Sequence, residues 1–408
     1  MRTSAPTSAR RPWRALIAAL VATFALGLAV SACGGDDSSA SGDGPLEIGV
    51  LAPMSGSVAS DGEDMVNASK LAIESVNADG GIDGRQLELN VADDACEAQQ
   101  GVQAAEKLVQ DEVLAVVGGF CSDATLPAME VFDRSDQLPF VVSVSSNPDV
   151  TESGLENIVR LIGRDDQEAP ADVSYLTDVV GSEKVAIVHD NTEFAVSVAD
   201  NMKKLIEEEG GPEIVYFDAV QPGSNDYRSV LDRVKREGAD TFFYTGFYPE
   251  FGPIARQWAS LGYDYNLIGG TSTINASVAE LAPQAVTDDK FSIVTYPTAL
   301  LLQGPEAKQY RTDYKKEFGD EPGPYGVFQY DAIKTLIAAI QEDPSDLSHS
   351  ALNERLKAVE IEGITGAIDF DDKGDRNAFP YLAVRAGDDG EFAPVHAIDS
   401  DGTWSESE

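Results

Sequence analysis

Positive charge is what this chain has least of. Its 29 lysines and arginines face 70 acids, giving a formal charge of −41 over 408 residues. Such an excess disfavours nucleic acid and anionic membrane surfaces as partners, and it says little about the fold. Histidine is also scarce. His189, His349 and His396 stand in no metal-ligand spacing, so no metal centre is expected. His189 follows a strand-like run and precedes Asp190, where it could line a cleft or serve packing. There is no Walker-type Gly-rich loop with Lys-Ser/Thr, and no Gly-x-Ser-x-Gly elbow follows a strand. Asp369, Asp371, Lys373 and Gly374 mimic a calcium loop, but lysine occupies a ligand position and no glutamate follows at the proper distance, which leaves a solvated turn. Asp93 and Asp94 are a poor catalytic pair, because neighbours at a strand end point to opposite faces. Beyond Val30 no apolar run approaches the roughly 20 residues a membrane helix needs.

What is present begins with an export signal. Arg2, Arg10, Arg11 and Arg14 precede an uncharged run of 16 residues from Ala15 to Val30, followed by Ser31, Ala32 and Cys33. Val-Ser-Ala-Cys resembles a bacterial lipobox, which implies cleavage before Cys33 and a lipid on its sulfur; an ordinary secretory signal that contains a cysteine is the alternative. Gly34 to Gly44 is only Gly, Asp, Ser and Ala, the composition of a flexible leash. Residues 1–32 are therefore read as a signal peptide and 33–45 as a tether, placing the body outside the cytoplasm, anchored through Cys33. Losing four arginines and no acid takes the charge from −41 to −45. With Cys33 assigned to lipid, Cys96 and Cys121 remain. One disulfide is the simplest reading; closing a loop of about 25 residues would contribute roughly 3 kcal/mol. Two buried free thiols are the other reading.

Roughly 375 mature residues with 43% hydrophobic content suggest two domains. Strand-like runs (Leu46–Leu51, Leu87–Val91, Val113–Val117, Phe140–Val144) alternate with helical ones. In the first helix Met65, Ala68, Ala72 and Val76 form one buried stripe, and Gly80 and Gly81 end it. The pattern restarts with strands at Val185–Val188, Ile214–Phe217, Thr241–Tyr244 and Leu267–Ile268. Short Val/Ile/Leu runs separated by helices indicate right-handed βαβ units and parallel sheets. The tail offers three helices, Lys308–Phe318, Tyr325–Gln341 and Ala351–Val359, then strand candidates Ile368–Phe370, Tyr381–Arg385 and Phe392–His396. It is best shared between the two lobes. The expected fold class is thus α/β, two doubly wound parallel-sheet lobes joined by a multi-crossing hinge. One lobe takes residues 46–164 and 297–365, the other 165–296 and 366–404.

Ligands of open α/β sheets bind beyond the carboxyl ends of the strands. Three loops there are rich in small donors: Ala52 to Val58, Gly118 to Asp123, and Ser145, Ser146 and Asn147. In the second, two glycines allow close backbone approach and a hydroxyl sits at the expected N-cap, where free N–H groups favour a carboxylate. Each cluster alone could be turn chemistry; three at equivalent strand ends point to a ligand cleft.

Several stretches carry a family resemblance from about Leu46 to about Gly390. They are Pro53-Met54-Ser55-Gly56, Asn77-Ala78-Asp79-Gly80-Gly81-Ile82, Asp93-Asp94-Ala95-Cys96, Cys121-Ser122 with Pro127-Ala128, Ala186-Ile187-Val188-His189-Asp190, and Tyr248-Pro249-Glu250. The chain resembles the leucine/isoleucine/valine-binding family of ABC-transporter solute receptors, with the type I periplasmic-binding-protein fold. The resemblance implies a monomeric, non-catalytic receptor without cofactor, whose lobes close on a branched-chain or related amino acid and deliver it to a membrane permease. It also implies the Cys96–Cys121 pairing. The ligand carboxylate would lie near Ser122, Ser145 and Ser146, with Asp61 as the loop residue of the first lobe and Phe194 and Phe247 where tyrosines often contact ligand. Thr271 stands where the family usually has the acid that receives the α-ammonium. A buried ammonium without a carboxylate is costly, so either Asp61 supplies the charge or the ligand has no ammonium. A small carboxylate or amide, aromatic acids included, is the alternative cargo; a ligand sensor and an enzyme on small carboxylates are the other classes, the enzyme disfavoured by the lack of a nucleophile–base pair.

Overall fold

The computed structural model describes residues 44–377, 380–387, 389–398 and 402–407. Cys33 and the expected signal peptide lie outside them. The first sheet has five parallel strands: β1 (Leu46–Ala52), β2 (Leu87–Asp93), β3 (Ala115–Gly118), β4 (Phe140–Val142) and β5 (Ile158–Arg160), in the order β2-β1-β3-β4-β5. Helices cover both faces, which is why its strands read as continuous apolar runs. On one face Ile48 and Val117 pack against Ala72 of helix Ala59–Ala78 and Ile333 and Leu336 of helix Gly326–Glu342. On the other, Leu51 and Val116 meet Leu108 and Phe132 of helices Ala98–Gln110 and Ser122–Arg134.

The second sheet begins with β6 (Lys184–His189), β7 (Glu213–Ala219), β8 (Thr241–Tyr244), β9 (Asn266–Gly269) and β10 (Phe291–Thr295). These run parallel in the order β10-β9-β8-β6-β7. A hairpin of β11 (Ile361–Gly363) and β12 (Gly366–Ile368) stands apart, its Ile368 in the first sheet's core. β13 (Leu382–Ala386), β14 (Phe392–Ile398) and β15 (Trp404–Glu406) then extend the second sheet antiparallel beyond β10.

The chain therefore passes between the sheets after β5, again between β10 and helix Gly326–Glu342, and again between Arg376 and Leu382. Among the elements not anticipated are β5, β10 and the helix Asp165–Ser174. β5 has only three residues, and the helix is an acidic stretch without an apolar stripe. The tail strand expected at Ile368–Phe370 pairs earlier, at Gly366–Ile368, and helix Ala59–Ala78 begins early enough to include Asp61 in its first turn.

Where the chain leaves β5, Arg160 is fully buried. Its guanidinium donates to Asp375 Oδ1 at 2.5 and 2.8 Å, to the Asn147 carbonyl at 2.6 Å and to Thr151 Oγ1 at 3.0 Å. Arg164 donates to the other Asp375 oxygen at 2.9 Å. Burial pushes the Asp375 carboxyl up, but the Arg160 charge and the bonds from Thr151 and Arg164 outweigh it and hold it below the usual range. Asp371 accepts from the backbone N–H groups of Lys373 and Asp375, so the suspected calcium loop is a turn that aims Asp375 inward. Within it Gly374 (φ 91°) sits so close to β5 that a Cβ would lie 2.4 Å from the Ile158 carbonyl oxygen.

Replacing Asp375 by Asn leaves a buried guanidinium without its counter-charge, which typically costs about 3–5 kcal/mol. Asp375→Asn should lower the urea midpoint accordingly at pH 7, and an unchanged midpoint would show that the pair does not hold the crossing.

Candidate functional site

The crevice between the sheets is built at the carboxyl ends of the strands. β3 ends at Gly118 (φ 139°), whose Cβ would sit 2.1 Å from the Leu51 carbonyl oxygen, so only glycine lets the chain turn there beside β1. The turn carries Phe120 and Cys121 to the start of helix Ser122–Arg134. Cys121 is bonded to Cys96, with Cα atoms 5.2 Å apart, which pins this turn to the end of β2. Ser122 was expected as the N-cap. It is instead the first helical residue; Cys121 takes the cap position and the Ser122 hydroxyl pairs with Ser145 Oγ at 3.0 Å. Ser122, Ser145 and Ser146 are all buried, at 1%, 1% and 4% exposure; the first two share a hydrogen bond at the N-terminus of helix Ser122–Arg134, and the Ser146 hydroxyl pairs with Asp165.

Phe120, Val144, Ser146 and Ile162 face Phe194, Phe247, Thr271, Ser272, Tyr296 and Tyr325 around a narrow cavity. About 10 Å³ of it is open to the centre of a water-sized sphere, room for roughly one water. Phe194 and Phe247 are ring neighbours at 5.4 Å, and Phe120 meets Phe247 at 6.0 Å and the edge of Tyr325 at 5.0 Å. The walls also touch directly. Ser60 Oγ pairs with Tyr248 Oη at 2.9 Å, and the Glu193 N–H donates to Asp123 at 3.0 Å. The conformation is closed.

Of the expected site residues, the structure places Ser146, Phe194, Phe247 and Thr271 on the cavity wall, with Ser122 and Ser145 just behind Ser146. Asp61 stands apart. It was expected in a loop and lies in the first turn of helix Ala59–Ala78, buried against Tyr248, with Asn275 Nδ2 at 3.5 Å and Oδ2 without a hydrogen-bond partner. Burial, then the nearby Asp64 charge, hold its carboxyl well above the usual range. His189 is half-buried with its Nδ1 accepting from Asn191 N–H and its ring against Phe217, which is local packing at a strand end. Asp93 and Asp94 do diverge: Asp93 accepts from Met54 and Ala95, while Asp94 is buried and pushed up to about 7 by that burial.

The sequence reading missed the acids behind Thr271. Asp165, Glu168 and Asp172 share one face of helix Asp165–Ser174 at helical spacing, and all three are fully buried. Glu168 accepts from Thr271 N–H at 3.2 Å, from Thr271 Oγ1 at 3.1 Å and from Tyr296 Oη at 3.5 Å. Burial, reinforced by the Asp165 charge, raises Glu168 to about 8. Burial likewise raises Asp165 to about 6, against the hydroxyls of Ser146 and Ser197 and the Arg160 charge, and lifts Asp172 well above the usual range with the help of Glu168. The only hint in the sequence was acids at intervals of three and four, a pattern that normally marks a solvated face.

Two parallel-sheet bodies joined by several chain passages, closing on a crevice lined with small donors, define the class of two-lobed solute receptors. The chain belongs to the periplasmic binding protein family, whose sequence profile matches residues 45–391. It is 32% identical over 374 residues to an amino acid binding protein of Pseudomonas aeruginosa, covering 90% of this chain and 96% of that one. A Leu/Ile/Val-binding protein of Escherichia coli is 29% identical, with 82% and 89% covered. Among solved structures, a leucine-binding protein from Thermotoga maritima superposes with a TM-score of 0.79 at 23% identity, over 88% of this chain and all of that one. A solute-binding protein of R. palustris in complex with benzoate gives 0.78 at 17% identity, over 90% and 98%.

The buried acids set a pH dependence. A carboxyl whose folded pKa is raised contributes stability that is complete below its unfolded value and is lost as pH rises through the folded one. His189 and His396 are lowered by burial and act in the opposite sense, but only below about pH 6.5. Between pH 6.5 and 8.5 the urea midpoint should therefore fall. Asp172→Asn, which removes a buried carboxyl with no hydrogen-bond partner, should make that fall smaller, and an equal fall in the variant would refute its part.

Proposed function

We propose that this protein is an extracytoplasmic solute receptor that captures a branched-chain or related amino acid between its sheets and hands it to an ABC permease. The observation that carries this reading is the buried Ser122–Ser145 pair, with the neighbouring Ser146 on the cavity wall, at the N-terminus of helix Ser122–Arg134, whose dipole favours a carboxylate. Family membership and the amino-acid-binding relatives support the cargo class. Phe120, Phe194 and Phe247 supply apolar walls for a side chain. A cavity this small must open to admit leucine, so binding couples to relative motion of the two sheets, and ligand stabilises the closed form by its differential affinity. We further propose that Cys33 carries a lipid that holds the receptor at the membrane, that it works as a monomer, and that it catalyses no reaction.

A second reading is the same receptor role for an aromatic acid. The ring-lined wall favours it, as does the benzoate-bound relative of like fold.

A thermal-shift panel of amino acids, amides and aromatic acids separates the two. Stabilisation by leucine, isoleucine or valine is expected; a shift with benzoates alone would replace the amino acid by the aromatic acid, and turnover of any of them would refute the receptor role. Ser122→Ala should weaken binding of the stabilising ligand by about 1–3 kcal/mol in a calorimetric titration, and unchanged affinity would remove Ser122 from the site.

A further inference from the structure

We propose that Glu168 positions Thr271 and Tyr296 so that their oxygens face the crevice as hydrogen-bond acceptors, giving the ligand's cationic nitrogen its seat. The inference rests on the receptor reading above and specifies the charge its ligand carries. A hydroxyl has one proton to give. When Glu168 is ionised, Thr271 Oγ1 gives its own to it at 3.1 Å, and the Tyr296 hydroxyl lies 3.5 Å from the same carboxylate oxygen. Both residues line the cavity, so what they present to it is lone pairs. The Thr271 backbone is fixed on both sides, its N–H donating to Glu168 and its carbonyl accepting from Tyr325 Oη at 3.1 Å. Such a wall suits an ammonium and repels a carboxylate, which the serine cluster takes at its own end.

The surroundings reinforce the sign. On its own helix Glu168 faces Asp165 and Asp172; from other elements Tyr296, Tyr325 and Tyr381 approach it, and the Arg160 guanidinium is committed to Asp375 and the Asn147 carbonyl. Asp61, buried with Oδ2 unpartnered, also acts on Tyr325. A cation brought beside Glu168 favours its ionised form and is then held by that charge. The resemblance to amino-acid receptors leaves Thr271 where an acid is usual; in this chain the acid stands one hydrogen bond behind it.

A proton readout follows. Glu168, raised to about 8, is largely protonated at pH 7 in the free protein, and an ammonium beside its hydroxyl partners favours the ionised form. Binding of an ammonium ligand should then release a proton, and affinity should climb with pH up to about 8.

The test is calorimetric titration of the full mature protein with L-leucine and with 4-methylpentanoate, which has the same carboxylate and side chain but no ammonium. It is run at pH 6, 7 and 8 in two buffers of different ionisation heat. For the wild type, leucine affinity should rise severalfold per pH unit with proton release, and the 4-methylpentanoate affinity should be weaker and show neither effect. Glu168→Gln should lower leucine affinity about 10- to 100-fold, abolish the proton release, and leave 4-methylpentanoate unchanged. Thr271→Val keeps the carboxyl and removes the hydroxyl; it should show the same selective loss for leucine and carries the test alone if Glu168→Gln does not fold. Equal loss for both compounds, an unaltered pH slope in Glu168→Gln, or a wild type that binds 4-methylpentanoate as tightly as leucine would overturn the proposal while leaving a solute receptor in place. A wild type that binds neither compound, nor any other solute of the panel, would overturn the receptor reading itself.

Discussion

The buried Arg160–Asp375 pair governs how the rest of the molecule is arranged. Its members are 215 residues apart and belong to different passages of the chain between the sheets. Arg160 also donates to the Asn147 carbonyl, at the end of the loop that holds Ser145 and Ser146. A few residues on, the Asp165 N–H donates to the Ser146 carbonyl at 3.0 Å and opens the acidic helix. One guanidinium therefore links the crossing, the serine loop and the start of the helix that carries Glu168. Breaking a desolvated pair of this kind leaves a charge that no water can reach, so its geometry is strongly specified even if its net contribution to stability is modest.

From that anchor the crevice acquires two ends of opposite character. At one, the paired Ser122 and Ser145 hydroxyls lie out of water at the N-terminus of helix Ser122–Arg134. At the other, an acidic helix turns a threonine and a tyrosine into acceptors. Between them stand aromatic rings. The walls meet through polar contacts of Ser60 with Tyr248, Asp123 with the Glu193 N–H, and Asn275 with Asp61, and through the rings of Phe120 and Phe247. Hydrogen bonds at partly exposed positions contribute about 1 kcal/mol each at most in net terms, so closure rests on whatever links the two walls from within.

Much of this was legible in the sequence, for identifiable reasons. Among β1 to β4 and β6 to β9, the inner strands are short apolar runs flanked by helices with clear periodicity, and such runs must be covered on both faces. The serines were legible because they follow strand ends, where such sheets bind ligands. Their chemistry was less so: Ser122 looked like a cap and is released from capping because Cys121 fills that position. Glu168 was illegible because an acid in a polar helix reads as solvated, and only tertiary packing shows that the helix lies beneath β10 and the β9 turn. The Arg160–Asp375 pair escaped notice because no local pattern connects residues so far apart. Asp61 was expected in a loop and lies in a helix, because sequence patterns specify least at helix boundaries.

The acidic helix also explains why a stable fold tolerates so poor a local arrangement. Three carboxyls stacked on one buried face, Asp172 among them without a hydrogen-bond partner, conflict with every rule for a well-satisfied core. In the free protein Glu168, raised to about 8, and Asp172, lifted well above the usual range, are accommodated by remaining protonated, while Asp165 at about 6 has the hydroxyls of Ser146 and Ser197 and the Arg160 charge beside it. A ligand with a positive nitrogen changes that balance, because it converts a neutral, weakly satisfied cluster into a paired one. The free energy stored as poor solvation in the open receptor then reappears as affinity when the crevice closes on a cation. A neutral side chain at position 168 would give a more comfortable core and would leave the crevice with no means of telling an amino acid from the acid that lacks its nitrogen.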